Sequence, residues 1–312
     1  MNDAVTMSDD QSRWRRIVDY PLVTMLIAVV LYIITISIAG ALDKFAMPPI
    51  AGFSFEMKFD ILAIPLLIIL YELVIRRMGE HPRDDYRDPK ALRHLAMGAG
   101  AGLLIFSSAV GVAAILGVYR VTGEGDLTGL LAAVVSPTIF AAFSEELMFR
   151  GILFRWIEEW GGSWMALLVT SAFFGAAHLF NPHASPIAAV GIAFEAGVML
   201  GAAYMLTRSL WMPMGLHAAW NFAQGEIYDI PVSGTSVHGM LAARLSGPPL
   251  LTGNGFGLEA SLIAIVLATI FGLWMLWFAI HKGELVQPRW IKAAKRESGA
   301  AHRDVRIKRS EP

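Results

Sequence analysis

Cysteine is absent from all 312 residues, which excludes disulfides, thiol catalysis and cysteine-ligated metal centres. Charge is scarce too: Asp, Glu, Lys and Arg make up 16% of the chain against 55% hydrophobic residues. A soluble domain carries about 25% charged residues, and a mean hydropathy of +0.54 points away from that class. Internal repeats, glycine-rich dinucleotide and phosphate-loop patterns, and the His-Glu-x-x-His helix are all missing. Nucleotide enzymes and the common zinc metallopeptidases are thereby excluded, and nothing suggests a nucleic-acid partner. The first 20 residues hold four Asp and no apolar core, so no cleaved signal peptide is expected and the first span serves as its own anchor.

What is present is apolar sequence in long runs. Crossing a hydrocarbon core of about 30 Å takes about 20 residues, and such runs lie near 21–41, 59–76, 92–118, 127–149, 163–180, 186–207, 209–227 and 258–280. The expectation is an all-α polytopic membrane protein of about eight transmembrane helices. Basic residues collect on cytoplasmic loops. With eight spans, only Lys44, Lys58, Arg120 and Arg244 of the 25 Lys and Arg fall outside, so both termini are expected to be cytoplasmic. The division that follows is a cytoplasmic tail over 1–20, a membrane domain over 21–280 and a basic cytoplasmic tail over 281–312. The Gly-, Pro- and Ser-rich stretch 228–257 is the longest external connection, of a length that often carries function.

Three fragments place polar groups where a bilayer excludes them: Ser144 to Arg150, Phe174 to His178, and His217 to Asn221. An ionisable residue inside a span is expensive and marks a functional site by default. Residues four apart share a helix face, so Glu146 pairs with Arg150 and leaves Glu145 over. Burial and a neighbouring carboxylate both disfavour the charged form of Glu145, which suits a general base near neutral pH. His217 and Asn221, also four apart, point one way into the bundle and can donate to a developing oxyanion. Structural readings stand beside these: an acidic pair clamped by arginine for topology, His178 as a satisfied core residue, and His217 with Asn221 as interhelical hydrogen bonding.

Glu-Glu-x-x-x-Arg at 145–150, Phe-x-x-x-His at 174–178 and His-x-x-x-Asn at 217–221, in this order on separate spans, resemble the signature of the CPBP membrane proteases. That family contains type II CAAX prenyl endopeptidases and bacteriocin-processing or immunity proteins. Phe149-Arg150-Gly151 matches its usual continuation, and the resemblance covers about residues 130–225. It implies an intramembrane endopeptidase in which Glu145 and His178 activate water, His217 and Asn221 stabilise the oxyanion, and Glu146, Arg150 and Phe174 support them. The implied partner is a membrane-associated protein or peptide, lipidated in the CAAX case. A metal-free mechanism is favoured, with a divalent ion such as zinc on Glu145, His178 and His217 as the alternative. A non-catalytic immunity or adaptor protein of the same fold, or a proton- or cation-coupled transporter, are the rival functions.

One tension concerns depth. A helix rises 1.5 Å per residue, and simple span boundaries put Glu145 near the inner end of its helix and His178 near the outer end of the next. A break near Pro137 with a new helix running to about Trp160 removes the conflict. Trp156 and Trp160 then form an interfacial belt. Glu195 is expected either to line the same cavity or to make a structural hydrogen bond, and His183 to lie in a loop. Trp211, Trp220, Trp274 and Trp277 are expected to mark interfaces and packing rather than a ligand cage.

Overall fold

A computed structural model of the chain describes residues 13–46, 55–126, 128 and 130–294; the expected tail residues 1–12 and 295–312 lie outside them. The protein is mostly helical, at 75%. Its main helices are α1 (Pro21–Ala46), α2 (Phe55–Leu73), α3 (Ala91–Ile115), α4 (Ala141–Glu146), α5 (Arg155–Ala177), α6 (Pro186–Ile192), α7 (Met199–Thr207), α8 (Trp211–Phe222) and α9 (Leu262–His281). Wide π-type turns join several of these end to end: Val134–Phe140, Leu147–Phe154, Ala193–Val198 and Ala223–Ile227.

Among the described residues, five helical runs are long and apolar enough to cross a membrane: 21–45, 91–115, 130–180, 186–207 and 262–281. The expected count of about eight spans is thus not confirmed. Helix α2 carries Glu56, Lys58, Asp60 and Glu72, and α8 is only 12 residues long. Residues 130–180, expected as two spans, form one 51-residue run. Their outward faces are apolar: Ile33, Leu104, Leu168, Phe173 and Ile270 are each about half or more exposed. Such exposure is a liability in water and ordinary against lipid.

The long run widens around Pro137 and breaks at Gly162. Pro137, which lacks an N–H, sits in the Val134–Phe140 turn, and helical geometry resumes through α4 into the first part of α5. It stops at Gly162 (φ 81°, ψ 170°), after which α5 continues. The helix before Gly162 thus carries Glu145 in its body, not at its end. Trp156 is fully buried rather than interfacial, and Trp160 packs against Trp290 with ring centroids 5.7 Å apart.

Helices α3 and α8 touch backbone to backbone. A Cβ on Gly98 would fall 2.1 Å from the Met212 carbonyl oxygen, one on Gly102 2.3 Å from that of Leu216, and one on Gly215 2.3 Å from that of Leu95. Small residues four apart permit this approach in membranes, and it anchors the helix that bears His217 and Asn221. At one end of the bundle the connecting segments meet through ion pairs: Arg208 with Glu158 at 2.7 Å, Arg83 with Asp85 at 2.9 Å, and Arg289 with Glu80 at 2.8 Å. At the other end an all-helical expectation needs correction. Strand β1 (Tyr119–Glu124) pairs antiparallel with β2 (Leu241–Leu245) and ties the long connection to the bundle.

Candidate active site

Glu146 and Arg150 are fully buried and joined at 2.8 Å, the i to i+4 pairing read from the sequence. A buried pair stands only with further hydrogen bonds around it. Arg150 makes two more from Nη2, to the carbonyls of Ala196 (3.3 Å) and Gly197 (3.2 Å), and lays its guanidinium 4.9 Å from the Phe174 ring centre. Phe174 is the hub of the aromatic contacts. Phe149 meets it edge-on at 4.8 Å, and His178 and His217 lie 4.8 and 6.2 Å from it.

The two histidines are oriented by their Nδ1 atoms. His178 Nδ1 lies 2.7 Å from the carbonyl oxygen of Phe174. A carbonyl only accepts, so Nδ1 carries the proton and Nε2 of the neutral ring is a base. His217 Nδ1 donates to Glu146 Oε1 at 3.1 Å, so its Nε2 donates only when the ring holds both protons. Asn221 gives Nδ2 to the Pro137 carbonyl at 2.7 Å, which leaves its second N–H.

His178, His217 and Asn221 line one cavity with Phe174, Trp220 and Ser233. About 30 Å³ of it is open to the centre of a water molecule, room for one or two waters. Glu145 lies within electrostatic reach of His217 and Arg150 but is not among the lining residues. Its Oε2 is buried with no hydrogen-bond partner. The carboxyls that line the cavity are Glu195 and Glu259. Of the two outcomes expected for Glu195 the first holds, since it lines the cavity and no hydrogen bond to it is found among the described residues.

Glu259 was not singled out from the sequence. It lies inside the run expected as a span over 258–280, but the membrane helix begins only at Leu262 and Glu259 falls in the short turn Leu258–Ala260 before it. Trp220, expected to serve packing, also borders the cavity while its Nε1 donates to Gln224 at 3.1 Å. His183 takes a left-handed turn (φ 57°) and packs on Gly255 outside the lining. Trp211 bonds the Tyr86 carbonyl, and Trp274 and Trp277 face outward.

As a metal set, Glu145, His178 and His217 do not fit as they stand. Among the described residues the His and carboxylate ligand atoms that gather within 4.8 Å of one another belong to Glu80, His81 and Glu159, and there Arg289 already holds both oxygens of Glu80 at 2.8 Å.

Buried acidic, basic and imidazole groups converging between apolar helices mark a functional site. Residues 127–223 match the family model described as Type II CAAX prenyl endopeptidase Rce1-like. That match covers under a third of the chain and spans all three polar fragments, so this stretch is similar to a family of membrane proteases. No curated protein and no solved structure matches the chain.

Proposed function

We propose that the protein is an intramembrane endopeptidase that hydrolyses a peptide bond of a membrane-associated protein or peptide, with Glu145 and His178 activating the water. The observation that carries this reading is the one cavity onto which His178, His217 and Asn221, all within the segment that matches the protease family, open together. Nε2 of His178 has its lone pair free for a water proton, while Glu145, with an unpartnered oxygen, takes the proton on. The attacked carbonyl oxygen becomes an anion, and His217 and the second N–H of Asn221 stabilise it. Glu146, Arg150 and Phe174 hold these groups in position. No acyl-enzyme is required.

The membrane domain takes residues 21–280, with its protease core at about 130–225, between the tails 1–20 and 281–312. The ion-paired end of the bundle, rich in arginine, faces the cytoplasm with both termini. The substrate is lipidated if the CAAX likeness extends to specificity.

Purified protein and its Glu145→Ala and His217→Ala variants, given prenylated and unprenylated peptides with and without a strong chelator, test this. Cleavage lost in both variants and unaffected by chelator supports the metal-free endopeptidase. A wild-type protein inactive across a broad panel overturns it in favour of a non-catalytic immunity or adaptor role.

A further inference from the structure

The long connection after Ile227 folds into a cap. Gln224 donates its side-chain amide to the Pro231 carbonyl, Gly234 N–H bonds the Phe256 carbonyl at 2.7 Å, and Ser233 N–H bonds Glu259 Oε1 at 2.7 Å. Gly257 (φ 123°) sits where a Cβ would fall 2.1 Å from the Pro231 carbonyl oxygen. Stretches 231–234 and 253–261 are thereby pressed together, and Glu259, 3% exposed, enters the cavity wall beside Ser233. Glu195, 2% exposed, lines the same cavity and feels the charge of Glu259. Glu259 is held by Ser233, whereas the buried Oε2 of Glu195 has no hydrogen-bond partner among the described residues, and such a group calls for a ligand, a water or a proton-transfer role. The roles given above leave one gap: nothing protonates the departing amine.

We propose that Glu259, seated by Ser233 and accompanied by Glu195, is the proton donor to the leaving amine, an inference that rests on the endopeptidase reading. Water adds to the substrate carbonyl carbon as Glu145 takes its proton. When the C–N bond of the tetrahedral intermediate breaks, the nitrogen takes the proton from the Glu259 carboxyl, whose O–H bond breaks to leave a carboxylate. The proton held by Glu145 then returns to Glu259 by way of His178, which lines the cavity. The products are a carboxylic acid and an amine, and the enzyme is restored.

Chemistry at this position is supported by the environment of Glu259, which precedes the membrane-spanning helix α9. Burial, the dominant influence, pushes its carboxyl up to about 7, against the lowering effects of Ser233, Gln224 and His217. A donor poised near ambient pH transfers its proton most efficiently. The titratable groups around it are Glu195, His178 and His217 in the cavity, Glu226 in the turn that bears Gln224, and His183 against Gly255. The segments packed on 258–260, namely α6, α9 and the turns 249–252 and 254–256, bring only His281, at the far end of α9.

The test uses full-length protein in nanodiscs, with wild type, Glu259→Gln and Glu259→Asp compared in two readouts. The first is the pH dependence of kcat/KM on a peptide the wild type cleaves. The second is the protonated-carboxyl infrared band across the same pH range. The donor role predicts a roughly 100-fold loss in Glu259→Gln, disappearance of an alkaline limb near neutral pH, partial recovery of rate and limb in Glu259→Asp, and loss of one titrating band. Cleavage that needs Glu145 but survives Glu259→Gln with its alkaline limb intact overturns the donor role alone. Absence of any wild-type cleavage overturns the endopeptidase reading and the donor role with it. An infrared band unchanged in Glu259→Gln overturns the assignment of the proton to Glu259.

Discussion

Asn221 spends one of its two amide protons on the carbonyl of Pro137, 84 residues earlier, at 2.7 Å. The proline turn and the candidate oxyanion donor are thus one unit: the residue that opens the helix also fixes the amide. Asn221→Ala leaves that carbonyl without its partner, at a cost of about 1–3 kcal/mol. We expect a lower midpoint in detergent thermal unfolding together with reduced cleavage. Asn221→Asp, which keeps the shape but brings a carboxylate to a carbonyl, is expected to be worse on both.

Glu145 separates from its neighbours by the opposite logic. No described residue bonds its buried Oε2, so Glu145→Gln is expected to leave the thermal midpoint within error of wild type or above it. Peptide cleavage in the same samples is expected to fall roughly 100-fold or more.

Breaking the Glu146–Arg150 pair on one side strands a buried charge. Arg150→Met is expected to destabilise by about 3–5 kcal/mol, and Glu146→Gln with Arg150→Met to recover a large part of it. Denaturation of the wild type and the two variants in one detergent measures this, and a double variant no better than Arg150→Met refutes it.

Gly102→Leu places a side chain where the Leu216 carbonyl now sits 2.3 Å from a Cβ position. We expect α8 to be forced from α3, with loss of folded yield and of any cleavage. Gly100→Leu, on the same helix with open space around it, is expected to be tolerated by both measures.

At the ion-paired end the Asp84 carboxyl lies below the usual carboxylate range. Burial opposes its charge, but the Arg87 and Tyr86 N–H groups and the Arg76 side chain outweigh it. A carboxyl depressed in the folded state stabilises above its unfolded value, about 3.9, and loses that contribution as pH falls through the folded value. The thermal midpoint of Asp84→Asn is therefore expected to lie below wild type at pH 7 and to converge with it under acid.

The polar fragments were legible because membrane helices make exceptions conspicuous. Glu146 with Arg150, and His217 with Asn221, follow from spacing alone once a helix is granted. Pro137 was legible for the same reason, and the run absorbs it in a widened turn. The number of spans was not, because hydropathy marks apolar length and not where a run turns. The charged stretch from Arg150 to Glu159 reads as a loop between two spans, whereas it stays helical up to the turn at Gly162. Glu259 was hidden because its position depends on hydrogen bonds between two loop stretches, which leave no periodic trace. The β1–β2 ladder escaped likewise, being two short pieces 120 residues apart, such as Thr122 and the Ala242 carbonyl it bonds.

The cap over the cavity is drawn from residues beyond the segment that carries the protease-family likeness, which ends at 223. Two parts meet at one wall: a motif-bearing core, and a covering loop that brings Ser233 and Glu259 to it from outside the matched segment. Proteins sharing this core yet differing over 228–261 would accept different substrates. Grafting that loop between them is then a route to redirecting selectivity, and a compound wedged between Ser233 and Glu259 would discriminate among relatives whose reactive groups are identical.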